Sequence, residues 1–549
     1  MTSCNPLTLE IPLTLRYSLL DEPLIRARLA RGGQPVRYTL PGLFVALTQD
    51  EVRDFPVLRP HQRHPWHAFT VQLAAMALHR TGEAQPFATE QAWKEALLTL
   101  TPEHPDGSAW CLISPHDKPA FMQPPVPDGV VTHWKTLRAP DELDMLVTSK
   151  NHDLKAARMR QAEPDDWMMA LISLQTQEGF LGAGNYGISR MNGGFASRPA
   201  LGVVPNGYWG RRWQRDVAAL LSNRDKIVEH MGLSDVNGIG LLWLLPWNGE
   251  KSLAFSFLDP FYIEVCRRIR LISQSNGPAI GAIAMGSKAA RVEAKNRNGV
   301  TGDPWMSVDV AAGKALTITG KGFHYQLAAE LLFGNKFLRP IAQVTDAADG
   351  TEGIVMLAQG VTRGQGKTEG YHERRIPISP KARRLLLQKE FDLLATIAGE
   401  RIQAIAKIRD VLWTAVATLF DQGTVKDRFS DSAKNKASDT TKFFEQGEDS
   451  RFFEELNAEI ESQDPDHARL QWLLSMTERA EIILKNAFIA GPQSAERRYR
   501  ARSTAMTRFH SGMRSSKTVP ALADYYCQLT AKKEDVNEPA CSVAARKTD

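Results

Sequence analysis

The hydrophobic pattern of this chain changes period at Ser379, and that change divides what it can fold into. From Ser379 to Phe420, SPKARRLLLQKEFDLLATIAGERIQAIAKIRDVLWTAVATLF spaces its apolar residues three and four apart, the period of one helix face. The polar stretch DQGTVKDRFSDSAKNKASD then reads as a loop. Three further segments, TKFFEQGEDSRFFEELNAEIES, DPDHARLQWLLSMTERAEIILKNAFIA and SAERRYRARSTAMTRFHSGMRSS, return to helical spacing. Long helices with short connections pack economically as an antiparallel four-helix bundle, which is the expectation for residues 376–532. Residues 533–549 are polar and read as a disordered tail.

Residues 1–375 have a different character. Short apolar runs alternate with Gly/Pro-rich turns, and helices mix with strands without a regular βαβα order. The expectation is an irregular α+β domain. HPWHAFTVQLAAMALHR and EPDDWMMALISLQTQ read as helices, the second opened by acids that suit a helix N-terminus. GLLWLLPW and SLAFSFLD read as strands of a hairpin turned at Asn248-Gly249. At 549 residues the chain is too long for a single core. Its 67 Lys+Arg against 62 Asp+Glu permit a basic patch without requiring a nucleic-acid partner. No apolar run is long enough for a membrane span, and no secretory signal is visible. Five scattered cysteines without a CxxC pair argue for reduced thiols in a cytoplasm. Neither a metal nor a cofactor is expected.

The stretch VMLAQGVTRGQGKTEGYHERRIPIS, from Val355 to Ser379, carries the most chemistry. Its Gly364-Gln365-Gly366-Lys367-Thr368 imitates the phosphate loop of a nucleotide-dependent enzyme. That loop requires its first glycine where Val361 stands and a helix immediately afterwards. Here Gly370, Pro377 and β-type isoleucines follow instead, so strand, long loop, strand fits better. Arg363, Gln365 and Lys367 on a glycine-loosened tip suit phosphates or base edges. A solvated hairpin whose charges face water is the alternative.

His61, His64 and His67 invite a metal site. Their spacing drifts around a helix and Pro65 interrupts it, so surface imidazoles at a helix entry are expected. Trp209, Trp213, Trp243 and Trp247 read as core and strand packing. Arg497, Arg498, Arg500, Arg502, Arg508 and Arg514 crowd one helical segment but spread over several of its faces.

Four ordered stretches resemble one known family. They are YSLLDEPLIRARLARGGQPVRYTLPGLF, SLQTQEGFLGAGNYGISRMNGG, the pair RRIRLISQ and GSKAARVEAKNRNGVTGDPW, and RGQGKTEGYHERR. Together with a helical C-terminal bundle they are similar to the CasA (Cse) family, the large subunit of the type I-E CRISPR surveillance complex Cascade. Leu24 stands where the family usually has Trp. The resemblance implies a non-catalytic subunit that reads a protospacer-adjacent motif (PAM) on double-stranded target DNA and wedges the duplex open for R-loop formation. Implied partners are guide RNA with the backbone and small subunits, and a helicase–nuclease recruited afterwards. Minor-groove reading would tolerate several related motifs.

By the same resemblance Gln365 is the wedge residue, beside Gly364 and Gly366, with Lys367 or Thr368 the alternatives because this loop is longer. Lys288 corresponds to a lysine that enters the minor groove. Gly182, Gly184 and Asn185 correspond to a glycine loop that approaches the groove floor, with Gly193 and Gly194 left open. Lys150, Asn151 and His152 fall in a DNA-contacting loop. Arg363, Arg497, Arg498, Arg500 and Arg502 are candidate contacts to DNA phosphates.

Overall fold

The helix Arg63–Thr81 is buried at every position from His64 to Leu78. A helix without a wet face has to be wrapped by other elements. Here Pro164–Gln177, Trp209–Met231 and the strand Leu258–Ile263 pack against it. Pro65 lies in its first turn, where a missing N–H breaks no intrahelical bond, so the helix is not interrupted. The computed structural model describes residues 15–144, 162–191, 198–273, 279–364, 367–424 and 428–537; of residues 364, 367–369 and 531–537 the backbone alone is described. The chain divides into two compact units, Met1–Phe323 with Asn335–Ile376, and His324–Gly334 with Pro377–Asp549.

The core of the first unit is rich in tryptophan. Trp66, Trp93, Trp110, Trp167, Trp213, Trp243 and Trp305 are all fully buried. Trp209 and Trp213 pack from the helix Trp209–Met231 rather than from strands. The three histidines are buried, not superficial. His61 Nε2 lies 2.9 Å from an Asp144 oxygen. His67 Nε2 lies 2.8 Å from Asp216 Oδ2, which also accepts from the Trp305 indole at 3.2 Å. Burial pushes the His67 imidazole down to about 4 despite that carboxylate, so it donates as a neutral ring. Burial likewise holds His64 well below the usual histidine range. The rings serve separate sites, and no cluster of potential metal ligands occurs among the described residues.

Strands form two- and three-stranded sheets scattered over the first unit. The expected hairpin around Asn248-Gly249 does not form. Ile239–Leu241 instead pairs in parallel with Leu258–Ile263. The turn itself exists, with Asn248 Oδ1 accepting from Glu250 N at 2.9 Å. The carbonyls of Leu242, Leu245 and Pro246 are used by the buried Arg291 guanidinium, which removes them from any ladder. The antiparallel pair Arg268–Ser273 and Ile280–Met285 is extended by Lys135–Leu137.

The second unit is helical. Phe391–Phe420 lies at its centre and packs against Asp431–Glu461, Pro465–Ala487, Ala495–Met513 and the excursion Tyr325–Phe333. That excursion comes from within the stretch assigned by sequence to the N-terminal domain. The long periodic run from Ser379 is split into Pro380–Leu387 and Phe391–Phe420. A Schellman end separates them: Glu390 N donates to Leu385 O, Lys389 N donates to Leu386 O, and Lys389 has φ +63°. With lysine rather than glycine at that point, the stop carries no sequence mark.

The expected loop 421–439 is also shorter than its composition suggests. Ser430 caps a helix that begins at Asp431 and buries Ala433 and Ala437 on its inner face. The helix Pro520–Asn537 runs into the region read as a tail. No helix among the described residues is long and apolar enough to cross a membrane.

Candidate nucleic-acid interface

The glycine loop begins where the helix Pro164–Gln177 ends. Glu163 and Asp166 form a capping box at its start, and Arg26 grips Asp165 with two nitrogens. At the other end the chain leaves through Glu178 and returns at Ile188, whose N–H donates to Glu178 O at 3.0 Å. Inside, Leu181 N donates to Asn185 O and Asn185 N donates to Gly182 O. Gly182 and Gly184 have φ +103° and +86°, backbone that a β-carbon makes costly. Asn185 is exposed at the loop's end.

Two other turns converge on this loop. Ser287 N donates to Gly184 O at 3.0 Å, and a β-carbon on Gly184 would lie 3.7 Å from Gly286 Cα. Lys288 N donates to Gly249 O at 2.7 Å, and Tyr186 Oη donates to Lys288 O at 3.0 Å. Gly182, Gly184, Asn185 and Lys288 are thus brought together, with the Asn248-Gly249 turn as the third member. Lys288 Nζ reaches Glu250 Oε1 at 2.8 Å while 81% of its side chain stays exposed. That ammonium lowers the Glu250 carboxyl below its usual range.

Arginines support the cluster from beneath. Arg267 Nη2 donates to Gly179 O at 2.9 Å. Arg268 Nη1 donates to Gly286 O at 3.2 Å, and its guanidinium lies over Trp134. Arg270 is fully buried and donates to the carbonyls of Ser114, Pro115, Lys118 and Gln123; burial pushes it down to about 9. Three arginines in RRIR therefore have three different fates. Glu264 holds the loop's return arm, accepting from Ser189 N and Ser189 Oγ, each at 2.7 Å. Complete burial raises its carboxyl to about 7.

The hairpin is formed by Ile354–Gly364 and Lys367–Ile378. Val355–Gln359 pairs with the short strand Ala200–Val204, and beyond that pairing Val361, Thr362 and the Arg363 side chain remain buried, so packing continues along the hairpin. Thr362 Oγ1 and His372 Nε2 meet across it at 3.0 Å. Arg363 Nη2 donates to Glu178 Oε2 at 2.9 Å. The residues after the tip enter a strand, so the phosphate-loop alternative lacks its helix N-terminus. Gly364 and Lys367 end the two strands.

Gln365, Gly366, Lys150, Asn151, His152, Gly193 and Gly194 lie outside the described residues. Arg363 departs from expectation. Its side chain is 6% exposed and committed to Glu178, 2% exposed, because either charge buried alone would be costly. On Ala495–Met513, Arg500 Nε donates to Gln422 O and Arg502 Nη2 to Phe488 O. Arg497 and Arg498 are exposed and have no side-chain partner among the described residues, which leaves them as the phosphate candidates. Sequence reasoning missed Glu178, Tyr186, Glu250 and Arg268. Glu178 and Tyr186 stand inside a quoted motif, but nothing in the string marks which polar residues turn inward.

No protein-family model matches the chain, and no curated protein matches it by sequence. Among solved structures it is similar to CRISPR-associated protein Cse1 from Acidimicrobium ferrooxidans, at 15% identity over 93% of this chain and 99% of that one, with a TM-score of 0.64. It is similar to CasA from Thermus thermophilus at 15% identity over 90% and 99%, TM-score 0.60. Thermobifida fusca Cse1 matches at 14% identity over 92% and 98%, TM-score 0.60. Over 90–93% of its length, this chain has the Cse1/CasA fold.

Proposed function

We propose that this chain is the non-catalytic large subunit of a type I-E Cascade-like CRISPR effector, which reads a PAM on double-stranded DNA and opens the duplex. One observation carries the reading. The glycine loop and the Lys288 turn share an exposed edge, and the distal end of the hairpin's first strand is tied to the same loop. Backbone bared by glycine and an exposed ammonium suit a groove floor lined by acceptors. A hairpin whose strands end at Gly364 and Lys367 suits insertion beside the first base pair, with Gln365 as the wedge residue the resemblance implies. Guide RNA with the backbone and small subunits would then hold the opened strand, and a helicase–nuclease would follow.

The test is reconstitution with guide RNA and the other subunits, challenged with duplexes of randomised motif. Lys288→Ala and Gln365→Ala should assemble normally yet bind and open target poorly. Normal opening by both variants together overturns the site assignment. Tight ATP binding by the isolated chain, lost in Lys367→Ala, would favour a nucleotide-dependent enzyme instead.

A further inference from the structure

The carboxylate of Glu178 does two things at once. Its Oε1 accepts from Gly179 N at 2.8 Å, the first amide of the glycine loop. Its Oε2 accepts from Arg363 Nη2 at 2.9 Å, near the distal end of the hairpin's first strand. Arg363 stands two residues before Gln365 in the sequence. Glu178 stands four residues before Gly182. Residues 185 apart in sequence are thereby joined by one carboxylate.

The loop end of this joint is stiff. Arg267 clamps Gly179 O, and Gln175 Oε1 accepts from both Cys266 N and Arg267 N. Burial makes the joint unforgiving. With the two side chains 2% and 6% exposed, separating them strands a charge away from water. A shift of the glycine loop must either carry the hairpin with it or break the pair.

We propose that Glu178 and Arg363 are positioning residues that couple the glycine loop to the hairpin, so that engagement of a duplex at the loop sets the hairpin for insertion. The inference rests on the functional reading above. Neither residue touches DNA in it, and Arg363 acts through Glu178. The pair differs from a stability device in one respect: its loss separates motif binding from opening.

The experiment uses the assembled effector and the variants Arg363→Met, Arg363→Lys and Glu178→Gln; the last keeps an acceptor for Gly179 N but loses the charge. One readout is affinity for a short duplex carrying the motif without guide complementarity. The other is the opening rate of a full target, followed by a fluorescent base analogue. Arg363→Met and Glu178→Gln should slow opening by about tenfold or more while motif affinity changes by less than about threefold. Arg363→Lys should recover most of the opening rate. Equal losses in both readouts, or no loss in either, overturn the coupling.

Amide hydrogen exchange on the free chain tests the joint without DNA. Arg363→Met should speed exchange at Gly179–Asn185 as well as in its own strand. Unchanged exchange in the loop sinks the coupling even if the functional reading stands. Coupled exchange in a wild-type effector that opens no duplex sinks the functional reading and leaves a mechanical link.

Discussion

Lys288 and Glu250 face each other from two different turns, Nζ to Oε1 at 2.8 Å, with 81% and 50% of their side chains exposed. The carboxylate occupies the ammonium that a DNA groove would claim. Such exposed pairs break readily and weaken with salt. Glu250→Gln should therefore raise duplex affinity a few-fold at low salt, and Lys288→Ala should lower it. The slope of log affinity against log salt should shrink by about one for Lys288→Ala. Fluorescence anisotropy over a salt series checks both, with thermal unfolding unchanged in either variant.

Gly184 is held at φ +86° while its carbonyl accepts from Ser287 N. An alanine there is strained by about 1–2 kcal/mol. Gly184→Ala should weaken motif binding and speed exchange at the Ser287 amide. Gly184→Asn should be milder, because asparagine tolerates the left-handed region. If alanine and asparagine behave alike, backbone conformation is not what the position requires.

Glu264 supplies a pH dependence of definite sign. Its carboxyl is raised from 4.5 to about 7 by burial, so between those values the folded chain holds a proton that the unfolded chain has released. Stability from this group is full below pH 4.5 and falls as pH rises toward 7. The neutral Glu264→Gln should remove that fall. Relative to wild type it should gain about 3 kcal/mol as pH rises from about 4.5 to about 8. Urea midpoints across the range, read as the difference between the proteins, check it. The difference matters because buried His67, pushed down to about 4, contributes with the opposite sign.

Arg497 and Arg498 are exposed, whereas Arg502 donates to Phe488 O and lies over the Phe488 ring. Arg497→Ala with Arg498→Ala should leave unfolding within about 0.5 kcal/mol of wild type. The same pair should lower affinity evenly across motif sequences and reduce the salt slope by about two. Arg502→Ala should instead cost about 1 kcal/mol of stability. An effect of the exposed pair confined to one motif would contradict phosphate contact.

Much of the architecture was legible because it rests on periodicity. The helices of the second unit, Arg63–Thr81, Pro164–Gln177 and the two strands Ile354–Gly364 and Lys367–Ile378 follow from spacing, although these strands run through most of the stretch where a long loop was expected. Lys389 in a left-handed stop and the small alanine face of Asp431–Glu461 were invisible for a shared reason. Each departs from the residue type that usually marks its geometry. The Asn248-Gly249 turn is written in the sequence, but no hairpin closes around it, since Arg291 takes the carbonyls a ladder needs.

For the site, the family resemblance singled out Gly182, Gly184, Asn185 and Lys288 one at a time, while the glycines and basic residues of the hairpin also stood out by themselves. Chain distance hid their meeting: Gly184 touches the turn of Ser287, and Arg363 reaches Glu178, through contacts between residues far apart in the string. A sequence states which charges exist. Folding decides which are desolvated: Arg363 is turned inward against Glu178, while Lys288, Arg497 and Arg498 stay in water. Local propensity is written residue by residue, but burial belongs to the whole packed chain, and burial is what separates the paired arginine from the exposed ones.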